Sequence, residues 1–266
     1  MSSSLADHCL AGALTGEFVV DAHCHFGPWN AFHVRRGGWA RAMVDAMDLC
    51  GISLSVIAPH AAIGPDERLG NDQAYAAAAE FPNRLLPYVT INPHRPCAAI
   101  EAEIARWDRV GIRGFKIHPA LHEYPACGEG YRPMFEFADE RGLPILSHSW
   151  AGDALAGPPI LADLATRYPG AQFLIGHAAS SWAMIDASCD EAARHPNIFL
   201  DVTTSALLYD ALEQVVARAG ADRILFGSDN PFLDPRPPLG RVLMARISDD
   251  DKRLILGLNA RRIFKL

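Results

Sequence analysis

The chain has 266 residues, half of them hydrophobic and 21% charged, an ordinary globular composition with enough length to bury a large core. The formal charge is −7 and there are only three lysines (Lys116, Lys252 and Lys265), so there is no basic stripe for nucleic acid. No apolar run approaches the ~20 residues of a membrane span.

The N-terminus, MSSSLADHCLAGAL, has no basic n-region and carries Asp7 and His8 where a signal peptide would be apolar. The six cysteines are scattered without a CxxC pair, as expected of reduced thiols in a cytoplasmic protein. The first strand-like stretch is FVVDAHCHFG, residues 18–27. On an extended strand His23 and His25 share one face and Cys24 takes the other. Two imidazoles side by side at the end of an apolar strand suit a borderline cation such as Zn²⁺, although a pair of hydrogen-bonded core histidines fits the same HxH.

A loop over 28–38 leads to WARAMVDAMDLCG, apolar at helical spacing and stopped by Gly51. Residues 52–60 read as the second strand, followed by an alanine-rich helix over 72–80. Residues 85–93 form the third strand, weakened at its start by Pro87, and Pro96 suits the first turn of a helix reaching about Val110. GFKIHP (114–119) is the fourth strand, with a loop over 122–130 and a helix to Arg141. PILSHSW (144–150) is the fifth, with a helix through Tyr168. QFLIGHAA (172–179) and NIFLDVTT (197–204) are the sixth and seventh, with helices ending near Arg194 and Ala219. RILFGSDNPF (223–232) is the eighth, and helical stretches over 239–247 and 249–266 complete the chain.

Strictly alternating strands and helices imply a parallel sheet. Eight units in this length, with no break in composition, predict one α/β domain over 1–266, a (β/α)₈ TIM barrel. No GxGxxG follows the first strand, which speaks against an open dinucleotide-binding sheet. Catalytic groups of such barrels sit at the C-terminal strand ends. Those ends carry His23 and His25, His60, Asn92, Lys116 and His118, His148, His177, Asp201 and Thr203, and Asp229. Six of the 11 histidines fall there, where barrel interiors are ordinarily filled by Val, Ile and Leu, and the clustering predicts a metal site.

With HxH on strand one, single histidines on strands five and six, and an aspartate on strand eight, the chain resembles the amidohydrolase superfamily. The nearer likeness is to its amidohydrolase-related branch, which includes aminocarboxymuconate-semialdehyde decarboxylase, aromatic-acid decarboxylases and lactonases. It is carried by DAHCHFG, GFKIHP, LPILSHSW, FLIGHAA, ILFGSDNPF and the tail LGLNARRIFKL, nearly end to end. The resemblance implies His23, His25, His148 and Asp229 as ligands of a divalent metal, Zn²⁺ foremost. It also implies His177 as an acid or a group polarising the substrate. Such a ligand set leaves an open position where bound water can fall to a pKa of about 7, with Asp229 placed as general base.

Lys116 has two readings. In binuclear members a strand-four lysine is carbamylated and bridges two metals, and here Lys116, His148 and His177 could supply that second site. With one metal, the favoured reading, Lys116 would anchor a substrate carboxylate. His118, Arg35 and Trp150 are expected to face the substrate. His33, Arg36, Trp29, Tyr124 and Trp182 are further candidates in the loops, and His60 is a pocket residue without an assigned role.

The expected activity is hydrolysis of a small lactone, ester or amide, with a carboxylate-bearing substrate favoured. Non-oxidative decarboxylation of an aromatic or unsaturated acid is the alternative, and a metal-free binding barrel a third. The expected partner is a small molecule, with no nucleic acid and no membrane, and the sequence is compatible with a homo-oligomer.

Overall fold

A computed structural model describes residues 4–10, 16–31, 33–206 and 208–266, without the side chains of Cys9 and Arg35. Among these residues eight parallel strands follow one another: β1 (Val20–Phe26), β2 (Leu54–Pro59), β3 (Leu85–Pro87), β4 (Phe115–Ile117), β5 (Pro144–Ser147), β6 (Gln172–Ile175), β7 (Ile198–Asp201) and β8 (Ile224–Leu225). Ladders join β1-β2-β3 and β4 through β8 in order. Two seams close the ring. Val89, just past β3, pairs in parallel with Phe115 of β4, and its carbonyl accepts the Lys116 N–H at 3.0 Å. On the other side Ala22 N–H donates to Phe226 O at 2.9 Å, Asp229 N–H to His23 O at 2.9 Å, and His25 N–H to Asn230 O at 2.7 Å. The first and last strands are therefore neighbours, as a (β/α)₈ barrel requires.

The period-two pattern sorts side chains between two cores. Val20, Ala22, Leu54, Val56, Ala58, Tyr88, Leu146, Leu174, Phe199 and Leu225 pack together inside the ring, with Ile263 and Phe264 of the tail. Their neighbours Val19, Ile57, Ile145, Phe173, Ile175, Ile198, Leu200 and Ile224 belong to the larger core shared with the helices. Simple alternation from Val20 and Ala22 would send His23 outward. A register shift between Asp21 and Cys24 in the β1–β2 ladder re-aims the chain, so that Cys24 joins the outer core and His23 turns inward. Bulges beside active sites commonly serve this purpose.

The strands are shorter than the apolar runs predict. β8, expected over 223–232, spans two residues, and β3 and β4 span three each. The remainder of each run leaves the ladder at the barrel mouth, where His60 and Pro119 begin short helices (His60–Ile63 and Pro119–His122). The helix expected over 72–80 starts earlier, at Glu67, because the Asp66 side chain caps it by accepting the Leu69 N–H. Pro96 immediately precedes the helix Cys97–Asp108 rather than lying in it.

The tail, read as one helix over 249–266, is three segments: Asp249–Arg253, a π turn at Leu254–Leu258, and Asn259–Ile263. The Ile255 carbonyl of the π turn accepts the Phe226 N–H at 3.0 Å, which ties the last helices to the strand carrying Asp229. None of the described helices is long and apolar enough to cross a membrane.

Gly227 shows how tightly the mouth is packed. A Cβ there would overlap the Thr203 hydroxyl and lie 2.6 Å from Asp201 Oδ1 and 2.7 Å from His23 Cβ. Gly227→Ala should therefore lower stability by ~1–3 kcal/mol, the usual cost of overpacking, read as a reduced urea midpoint. An unchanged midpoint would mean that the Asp201–His23 contact can yield.

Candidate metal centre

His23 is fully buried, and its Nδ1 lies 2.6 Å from Asp201 Oδ2. An ionised carboxylate only accepts, so Nδ1 carries the ring proton and Nε2 presents a lone pair. Lys116 Nζ lies 2.8 Å from that Nε2, and Asp229 Oδ1 3.5 Å from it. Asp201 also accepts from the Thr203 hydroxyl at 2.6 Å, and from the backbone N–H groups of Thr203 and His177 at 3.2 and 3.3 Å. Burial opposes the Asp201 charge, but His23 and Thr203 outweigh it and hold the carboxyl below its usual range. In the sequence Asp201 is one more acid at a strand end, and nothing there separates a residue that orients a ligand from a ligand itself.

His177 is fixed in the same way. Its Nδ1 lies 3.1 Å from the Thr203 carbonyl, which can only accept, so Nε2 is again the bare nitrogen. That Nε2 is 3.1 Å from His148 Nδ1, which must then donate and leave His148 Nε2 unprotonated. His25 Nε2 approaches Asp229 Oδ1 to 3.1 Å, but without hydrogen-bond alignment. Asp229 Oδ1 and His25 Nδ1 are consequently buried polar atoms with no hydrogen-bond partner. His177 and Asp229 both have left-handed backbone, with φ of 59° and 63°. Such strain tends to be retained where the surroundings over-determine a functional residue.

His23, His177 and Asp229 each offer one ligand atom, all within 4.8 Å of one another. His25 adjoins this group through Asp229, and His148 adjoins it through His177. Burial, reinforced by Lys116, holds His23 down to about 4; burial together with His177 holds His148 down to about 2. Both rings are thus neutral at pH 7, the state in which imidazole binds a cation. An unpaired buried carboxylate oxygen beside His23 and His177, whose Nδ1 atoms are already pinned, is a donor set that fits a divalent metal.

Lys116 is fully buried, and burial pushes its ammonium down to about 8 against the pull of Asp229 and Asp201. Its Nζ meets His23 and it does not line the cavity at the mouth, the place a substrate anchor would occupy.

That cavity, about 440 Å³, is walled by two aromatic stacks. On one side His118 lies on His148 (3.9 Å between centroids, 10° between planes), and Trp150 continues the column. On the other, His60 packs on His25 (5.0 Å, 12°) and on Phe232 (4.4 Å, 21°), which are themselves 4.8 Å apart. His118, Trp150, Trp29 and His60 line it as the sequence suggests. Tyr124 and Trp182 do not. Arg36 is turned to Asp45 at 2.6 Å, His33 is exposed away from the lining, and the Arg35 side chain lies outside the described residues. Asn92 is engaged locally, its amide oxygen accepting the His94 N–H at 3.0 Å. Among the described residues no lysine or arginine lines the cavity. Phe232, beyond the strand-eight aspartate, is a wall residue the sequence does not single out.

The pinning of His23 can be tested directly. Asp201→Asn should weaken divalent-metal affinity ~10–100-fold, as loss of an orienting partner generally does, measured by competition with a chromophoric chelator. Wild-type affinity in that variant would show that Asp201 serves packing alone.

Solved structures share this fold at low identity. The 5-carboxyvanillate decarboxylase of Sphingomonas paucimobilis matches with a TM-score of 0.73 and 17% identity, over 94% of this chain and 99% of its own. The 2,6-dihydroxybenzoate decarboxylase from Rhizobium matches at 0.70 and 19%, over 94% and 99%. The 5-carboxyvanillate decarboxylase of Novosphingobium aromaticivorans, complexed with manganese and 4-hydroxy-3-methoxy-5-nitrobenzoic acid, matches at 0.71 and 16%, over 94% and 97%. No curated protein matches the chain in sequence. The amidohydrolase family profile matches residues 20–266, and the chain belongs to the amidohydrolase family.

Proposed function

We propose that the protein is a metal-dependent hydrolase of small, largely apolar lactones, esters or amides, with Asp229 as its general base. The observation that carries this reading is the Asp229 carboxylate. One of its oxygens is buried without a hydrogen bond, 3.1 Å from His25 and 3.5 Å from His23, in a residue that also lines the cavity. His23, His25, His148 and Asp229 would hold the cation, and His177 offers a ligand atom within 4.8 Å of those of His23 and Asp229. A bound divalent ion, Zn²⁺ given the nitrogen-rich donor set, would supply Lewis acidity there. A single ion is favoured because the described residues form one such group of donor atoms, His23, His177 and Asp229.

Asp229 takes a proton from the attacking water, as a carboxylate facing an open cavity can. His177, with Nδ1 committed to the Thr203 carbonyl and Nε2 beside His148, forms part of the cavity wall next to Asp229. The aromatic stacks exclude water and orient a flat substrate body between them. With no described cationic side chain in the lining, any carboxylate on the substrate depends on the metal for its counter-charge.

The second reading, decarboxylation of an aromatic acid, is favoured by the same stacks and by the decarboxylases among proteins of this fold. The two are separated by assaying metal-loaded enzyme on lactones, esters, amides and aromatic carboxylates in ¹⁸O-labelled water. The hydrolase reading expects label in the product and no CO₂. Release of CO₂ with no label in the organic product would replace it with the lyase reading.

A further inference from the structure

His60 stands at the cavity end of β2, as the first residue of the short helix His60–Ile63. Its Nδ1 lies 2.6 Å from the Gly27 carbonyl. That carbonyl can only accept, so Nδ1 holds the proton and Nε2 is an acceptor. Nε2 is buried and has no hydrogen-bond partner. The ring is held by the Gly27 hydrogen bond and by the rings of His25, Phe232 and Trp29, whose centroids lie at 5.0, 4.4 and 5.2 Å. The residue nevertheless lines the cavity, beside the apolar Ala31 and Ile63. An acceptor fixed in this way, and left without a donor by the protein, is matched by a donor on whatever enters.

We infer that His60 is a specificity-determining residue whose Nε2 accepts a hydrogen bond from a hydroxyl or N–H group of the substrate. This rests on reading the cavity as the substrate site, and it goes beyond that reading by naming a feature the substrate carries. A ligand with a donor on an aromatic or aliphatic body satisfies Nε2. The same ligand with the donor methylated leaves two unpaired groups in contact, and a site built for a hydrogen bond rejects it.

The test uses the metal-loaded full chain, ¹⁵N-labelled at histidine, titrated with benzyl alcohol and, separately, with benzyl methyl ether. Benzyl alcohol should bind roughly 10- to 100-fold more tightly than the ether, and should move the His60 Nε2 resonance while leaving its tautomer unchanged. His60→Phe keeps a ring in the stack and removes the acceptor, so it should bring the two affinities together. Equal binding of the two by the wild type, no binding of benzyl alcohol up to its solubility, or a preference that survives in His60→Phe would each overturn the inference. If His60→Phe fails to fold, the wild-type titration alone decides. Metal content and turnover of the ester panel, measured on the same samples, report on the hydrolase reading independently of this outcome.

Discussion

His25→Ala, purified and exposed to excess Zn²⁺ or Mn²⁺, is expected to retain the fold and lose bound metal. Nothing in the fold depends on the polar atoms of this ring. Its Nδ1 has no partner, its Nε2 approaches Asp229 without hydrogen-bond alignment, and truncation opens into a cavity that already exists. His23→Ala should also lose metal, but with a lower melting temperature in the absence of metal. That change removes the donor to Asp201 Oδ2 and the partner of Lys116 Nζ, leaving two buried charged groups under-satisfied at a cost of ~1–3 kcal/mol each.

The comparison is made by elemental analysis and by thermal melting with and without chelator. Wild type should gain ~2.7 kcal/mol when free metal stands at about 100 times Kd, and neither variant should gain anything. Full metal content in either variant would take that histidine out of the ligand set. Unfolding of metal-free His25→Ala would make His25 a structural residue instead.

These contrasts mark what was legible in the sequence. The eight-fold alternation was readable because every strand is a short apolar run bounded by turn residues, and closure followed from the count. The strand-end histidines stood out because imidazoles do not fill barrel interiors. What could not be read is the second tier of contacts. Asp201 and His23 are 178 positions apart, and only closure of the ring brings them to 2.6 Å. The bulge between Asp21 and Cys24 is equally silent, because plain alternation and a register shift both put His23 and His25 on one face. Lys116 was legible as an interior ammonium, but not as the neighbour of His23 rather than of the cavity. The strand lengths were overestimated for a related reason. Residues 226–232, expected to continue the eighth strand, leave the ladder instead, and Asp229 and Phe232 wall the pocket.

Asp229→Asn is expected to separate proton transfer from metal binding. The backbone at this position is left-handed, a conformation asparagine tolerates, so the substitution should not disturb the local chain. The main-chain bonds that hold the turn, Asp229 N–H to the His23 carbonyl and Phe232 N–H to the Asp229 carbonyl, both at 2.9 Å, do not involve the side chain. The amide oxygen can occupy the place of Oδ1, so metal should be retained at stoichiometric loading with some loss of affinity. An amide does not accept a proton at neutral pH, and removal of a general base costs ~10²–10⁴-fold in turnover. The predicted pattern is therefore bound metal, an unchanged urea midpoint and a kcat lower by that factor on whichever member of the ester and lactone panel the wild type hydrolyses. A kcat near the wild-type value with metal bound would remove the base role from Asp229. The role would then pass to His177, which lines the cavity and holds an unprotonated Nε2. Loss of metal together with activity would instead identify Asp229 as a ligand first, leaving its proton-accepting role to be read from the metal dependence of the residual rate.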